Sequence, residues 1–304
     1  MNPVEFGFLA NATTITWQAG ANTIEPLAKH ADVVAAMQRE IYVHDGWFYP
    51  PLRSVKSGVN APLIPTGFAL PATHQLHLSD TTADDEEANF MIALFGLLKG
   101  QRLQRPEWQH FYKAPVASKL NDFLATDAPI SKTLDIATAF WRRYTPEVRK
   151  LAFGALHWHL FAQLYEHQFE RFNAQYMALD ACAALALEIG LQGYSSHPSK
   201  PKHPLHASRA SVLCGCTGVP KPVWVEPLAG QTECELARCR NELVHEAMYA
   251  GQPIGFSNPK GHHQMVRELT GLVARIFLRL LGVQNDYTQS VCDERGMNPF
   301  GVPA

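Results

Sequence analysis

Residues 146–190 read PEVRKLAFGALHWHLFAQLYEHQFERFNAQYMALDACAALALEIG, and this stretch decides the fold. Pro146 opens it, Gly190 ends it, and no proline interrupts it. Gly154 is its only interior glycine. A single helix of this length is unusual in a globular protein, so the run predicts a bend near Phe169–Asn173 or two successive helices. His159, Gln163 and His167 fall on one stripe, read as a solvated or interface face, with His157 and His159 flanking Trp158.

Downstream, 193–227 is rich in proline and histidine and reads as a loop excursion. Two helices follow. Thr232 with Glu235 predicts a capping box for the first, and Gly251 its stop. The second spans His263–Leu281, stops at Gly282, and buries Leu269, Leu272, Val273, Ile276, Phe277 and Leu280. The last twenty residues read as an extended tail.

Upstream the character changes. The first 80 residues carry Pro50, Pro51, Pro62, Pro65 and Pro71, which exclude long helices. Phe6–Leu9, Thr13–Trp17 and Gln75–Leu78 predict short strands, and a helix is expected between Pro26 and Glu40. Glu86–Arg105 has helical periodicity, with Phe90, Leu94, Leu97 and Leu98 on one face, acids at its start and Lys99, Arg102 and Arg105 at its end. Ser79 or Thr81 is positioned to cap it. The expected class is therefore α+β: a mixed α/β region over 1–132, a helical bundle over 133–285 and a tail over 286–304. The weak boundary lies near Thr126–Lys132.

Bulk properties bound the function. At 304 residues and 46% apolar content the chain can build one large core or two ordinary ones. A formal net charge of -2 excludes a global basic field, so any RNA contact must be local. No apolar run is long enough for a membrane span, the first residues lack a signal-peptide pattern, and the cysteines do not form a secreted framework. A cytoplasmic protein is the expectation.

The stretch with chemistry in it is Arg240-Asn241-Glu242-Leu243-Val244-His245. On an α-helical wheel Leu236, Cys239, Leu243, Val244 and Ala247 share an apolar arc that contains Arg240, while Asn241 and His245 lie on the next face. An arginine among core-facing residues needs a carboxylate, a phosphate or another subunit. Asp180, the one acid in the apolar run Met177–Leu187, is the candidate partner, in a structural or a site-supporting role. Metal-free RNA cleavage needs a proton acceptor for the 2′-hydroxyl, an acid for the leaving 5′-oxygen and positive charge on the phosphate. His245 and Arg240 are residue types matched to those tasks, and Asn241 suits holding the imidazole or a phosphate oxygen. The alternative is a structural arginine and a surface histidine.

Arg-Asn-x-x-x-His after a long helical region resembles the HEPN superfamily, and Phe169–Asp180 (FERFNAQYMALD) is similar to its earlier helical segment. The resemblance covers roughly 140–285. It implies a helical bundle, commonly a homodimer, that often acts as a metal-independent endoribonuclease in a prokaryotic toxin or antiviral defence setting, leaving a 2′,3′-cyclic phosphate. Arg240, Asn241 and His245 carry over as catalytic residues, with no cofactor, RNA as substrate and a regulatory protein as a further partner. Because many relatives are inactive, it equally admits a module that binds RNA, nucleotide or protein without cutting.

Weaker signals surround this motif. Lys200, Lys202, His203, His206 and Arg209 form a basic loop before it, and Lys260, His262 and His263 another after it; Lys200, Lys202, Arg209 and Lys260 are candidate RNA-backbone contacts. Cys214, Cys216, Cys234 and Cys239 invite a zinc site, but five-residue spacing inside a helix splays the last two, so buried or loop thiols are expected. His74 and His77 alternate across a strand and cannot share a metal. Trp47–Tyr49 and the Trp108–Tyr112 cluster are expected to pack rather than to stack on bases.

Overall fold

The computed structural model describes residues 3–10, 17–19, 22–54, 63–79, 85–117, 120, 124–125, 127–195, 209–249, 251–254, 263–291 and 299–300. The chain is mixed α+β and divides into two compact units, 1–121 and 122–304. Among the described residues no helix is long and apolar enough to cross a membrane.

Of the strands expected in the first unit, Gln75–Leu78 falls largely on a strand, Phe6–Leu9 overlaps one only at Phe6, and Thr13–Trp17 lies outside the described residues except for Trp17. Strands β1 (Val4–Phe6), β2 (Trp17–Ala19), β3 (Asn22–Pro26) and β8 (His74–His77) form one antiparallel sheet in the order β1-β8-β3-β2. Helix α1 (His30–Gln38) lies within the expected bounds. Strands β4 (Val43–His44), β5 (Trp47–Phe48) and β9 (Ala114–Pro115) make a small second sheet, and β6 (Leu52–Ser54) pairs with β7 (Leu63–Pro65). Helix α2 (Asp85–Leu98) is buried almost all round, with Phe90, Leu94 and Leu97 fully inaccessible. It ends earlier than its charge pattern suggested, because Gly100 turns left-handed and Gln101 bonds back to the Gly96 carbonyl. Arg102 and Arg105 therefore lie beyond the helix. Thr81 lies outside the described residues.

Among the described residues of this unit, His74 and His110 are two of the three buried histidines, with His30 the third. His74 is wholly inaccessible, stacked on Phe6 and bonded through Nδ1 to Thr73. His110 is buried against Phe68 and Gln104. Burial pushes His74 down to about 3, aided by His30 and then Lys99, and His110 down to about 4, aided by Arg102. His77 pairs instead with Glu25 at the sheet surface. Among the expected packing aromatics Phe48 is buried, but Trp108, Phe111 and Tyr112 are exposed.

The second unit opens at β10 (Leu124–Ala125) and α3 (Asp127–Arg143), so the stretch expected as a linker is already helix. The 146–190 run is two helices, α4 (Pro146–Phe161) and α5 (Gln168–Glu188), with a short 3-10 turn and a break at 165–167, just before the expected bend. They fold back on one another. His159 Nδ1 meets Gln175 Oε1 at 2.9 Å across the seam, and Phe172, Leu179, Cys182 and Ala183 seal it without exposure. The stripe read as solvated is thus overturned at two of its three members: His159 and Gln163 are buried and only His167 is exposed. A polar residue with a dedicated partner on the neighbouring helix belongs inside.

Helix α6 (Ala210–Thr217) interrupts the region read as loop, closed by Gly218 in the left-handed conformation. Helices α7 (Glu235–Asn241) and α8 (His263–Leu281) follow, joined by a π turn at 242–246 and the hairpin β11 (Met248–Tyr249)–β12 (Gln252–Pro253). Helix α8 matches its predicted bounds, and all six residues expected inside are buried. Trp224 donates to buried Glu268 of α8 at 2.6 Å.

The described parts of the expected tail are folded. Helix α9 (Asp286–Gln289) packs on α8, and β13 (Pro299–Phe300) pairs in parallel with β10. The reason lies in Arg275, whose side chain is wholly buried. Its Nε donates to the Tyr287 carbonyl and to Ser290 Oγ, and its guanidinium lies 4.4 Å from the Tyr287 ring centroid.

Candidate active site

Helix α7 begins at Cys234, not at Thr232. No side chain caps it, Thr232 is exposed, and Glu235 instead places its charge in the first turn. Leu236 and Cys239 are buried, as the wheel requires, and Ala237 is buried beside them. The wheel then fails. From Glu242 the backbone widens into a π turn, where the Ala247 N–H bonds the Glu242 carbonyl five residues back, and Ala247 closes it in the left-handed region. Val244, assigned to the core arc, is 52% exposed, and Ala247 is exposed with it.

That one widened turn reshapes the motif. On a regular α-helix residues five apart diverge by about 140°, which separates Arg240 from His245. With i→i+5 bonding they come onto one face. Arg240 Nη1 lies 2.7 Å from His245 Nε2 and 3.0 Å from Asn241 Oδ1. All three predicted residues therefore meet within one chain. Because arginine only donates, Nε2 is the acceptor in this contact. His245 is exposed, and Arg240 and Asn241 are half-buried.

Neighbours hold this cluster in place. Asn241 Nδ2 donates to Glu233 Oε1 at 2.6 Å, which fixes the amide so that its oxygen faces Arg240. Glu242 accepts from the Gly251 N–H at 3.3 Å and lies 4.0 Å from Arg238, tying the hairpin to the helix. On α5, Tyr176 lies near enough to Arg240 for the guanidinium charge to act on its hydroxyl. Burial pushes the Tyr176 hydroxyl up to about 12; the charge of Asp180 adds to this, while Arg240 opposes it. Asp180, expected as the partner of Arg240, acts here through its charge on the Tyr176 hydroxyl, while Arg240 bonds Asn241 and His245. Asp180 also raises Tyr194 further, after burial.

Tyr176 and Glu233 were not singled out in the sequence. Their signal is spacing: Asn173, Tyr176 and Asp180 recur at helical intervals on one face of α5. The expected backbone contacts fare differently. Arg209 donates to the Ser195 carbonyl and hydroxyl and lies over the Tyr194 ring. Lys200, Lys202, His203, His206, Lys260 and His262 lie outside the described residues.

The cysteines behave as core thiols. Cys214, Cys234 and Cys239 are buried, Cys216 is half-buried, and burial pushes Cys239 up to about 12. Among the described residues no three His, Cys, Asp or Glu side chains gather in a group that could hold a metal ion. The chain matches no family model, no curated protein and no solved structure.

Proposed function

We propose that the second unit is a metal-independent endoribonuclease of HEPN type. The observation that carries this reading is the contact of Arg240 with both His245 and Asn241 across the π turn. His245 Nε2 holds a lone pair at an exposed position, the state a general base needs. An arriving phosphodiester replaces His245 as the arginine's acceptor. The guanidinium fork then bonds the non-bridging oxygens, and the imidazole is released toward the ribose.

His245 takes the 2′-hydroxyl proton, O2′ attacks phosphorus, and the bond to O5′ breaks. The products are a 2′,3′-cyclic phosphate and a 5′-hydroxyl. A homodimer through the HEPN helices, part of this reading, supplies a second histidine to protonate O5′. Asn241, locked by Glu233, keeps the arginine plane oriented, and Tyr176 buttresses it from α5.

The test is cleavage of a mixed-sequence RNA in excess EDTA, with end-group analysis. The expected products carry cyclic phosphates, and sedimentation of the same sample is expected to give a dimer. Cleavage that EDTA abolishes, or 3′-hydroxyl products, contradicts the mechanism. Folded protein that binds RNA without cutting it supports instead a non-catalytic module.

A further inference from the structure

The π turn also builds a wall. Leu243 and Val244 face Tyr165, Phe169, Glu170 and Asn173 across a groove of about 430 Å³, within the range of sites that take small organic ligands. Groove and triad share both sides: Val244 directly precedes His245, and Asn173 lies one turn before Tyr176, on whose hydroxyl the charge of Arg240 acts.

We propose that this groove is a nucleobase pocket beside the scissile phosphate and that it selects guanine. The inference rests on the ribonuclease reading and adds its specificity. Tyr165 and Phe169 supply aromatic surface, on which unpaired bases stack. Glu170 and Asn173, three apart on α5, present side chains about 5–6 Å from one another at Cβ. Glu170 is held at the helix start, where Oε2 accepts a long bond from the His167 N–H at 3.4 Å. Among the described residues Oε1 accepts none, and the exposed Asn173 amide makes no hydrogen bond.

The pocket therefore offers a carboxylate that only accepts, next to an amide that donates. Guanine is the base whose pairing edge sets two adjacent donors, N2–H and N1–H, beside an acceptor, O6. Glu170 takes both donors and the Asn173 amide reaches O6. Adenine, cytosine and uracil each put an acceptor against the carboxylate, leaving two lone pairs opposed.

Calorimetry with the 3′- and 5′-monophosphates of the four nucleosides tests this on the full chain. Guanosine monophosphate is expected to bind at least about tenfold tighter than the other three. Glu170→Gln keeps the helix-start contact but halves the acceptors, so it is expected to erase that preference while phosphate affinity persists. Equal binding of all four nucleotides, no binding of any, or an unchanged preference in E170Q overturns the proposal. Cleavage without guanosine preference sinks the pocket and spares the ribonuclease. Guanine-selective binding without cleavage does the reverse.

Discussion

Acid should weaken the first unit, and buried His74 and His110 set the size of the effect. His74 and His110 have folded-state pKa values near 3 and 4, both lowered chiefly by burial, against 6.5 for a solvated imidazole. A lowered histidine pKa means that protons bind the unfolded chain preferentially. The stability associated with keeping these rings neutral is complete above pH 6.5 and drains away as the pH falls toward 4 and then 3. At pH 5 each ring has forfeited about 2 kcal/mol, and the pair about 4 kcal/mol, a large share of a typical domain's stability. Urea titrations at pH 7.5 and 5.0, followed by tryptophan fluorescence, measure the loss. Comparison with His74→Gln/His110→Gln isolates these two rings from the rest of the chain. The wild type should weaken by several kcal/mol more than the double variant between the two pH values. Equal losses in both would refute the assignment of these histidines as the acid-sensitive groups.

Four other perturbations follow from local geometry. His159→Ala strands the buried Gln175 amide in the α4–α5 seam, and should cost about 1–3 kcal/mol in denaturant unfolding. A methyl added at Gly96 runs into the Gln101 carbonyl, whereas one at Gly154 meets nothing within 4 Å. Gly96→Ala is expected to lower the melting temperature by an overpacking cost of about 1–3 kcal/mol, and Gly154→Ala to raise it through up to about 1 kcal/mol of helix propensity. Trp224→Phe removes a 2.6 Å bond to buried Glu268; a loss of about 1.5–3 kcal/mol is expected in the same titration, and no change would mean that the carboxylate finds another donor.

What the sequence discloses depends on whether a local residue type enforces the feature. Helix ends at Gly190 and Gly282 are legible because each glycine adopts a positive φ that side chains resist. Helix α8 is legible end to end because its apolar stripe is long and regular. Helix α6 is short, sits in a proline-rich region and owes its burial to α5 and α8, so nothing local announces it. The folded C-terminus hinges on Arg275 stacking on Tyr287 twelve residues later, a tertiary choice. The site divides in the same way. Its residue types and their positions are readable, but the π turn is a change of hydrogen-bond partner that no residue signals in advance. An α-helical wheel therefore separates Arg240 from His245, where the backbone brings them to 2.7 Å. Tyr176 and Asp180 join them through the packing of α5, which the wheel of α7 cannot contain.

The central claim is that His245 moves the proton and Arg240 holds the phosphate. Single-turnover cleavage of RNA in EDTA by wild type, His245→Ala and Arg240→Ala tests it most directly. His245→Ala should cut at least about 100-fold more slowly, Arg240→Ala should lose comparable activity, and both should retain the wild-type circular dichroism and melting temperature within a few degrees. A folded His245→Ala protein that cleaves at the wild-type rate would contradict the account.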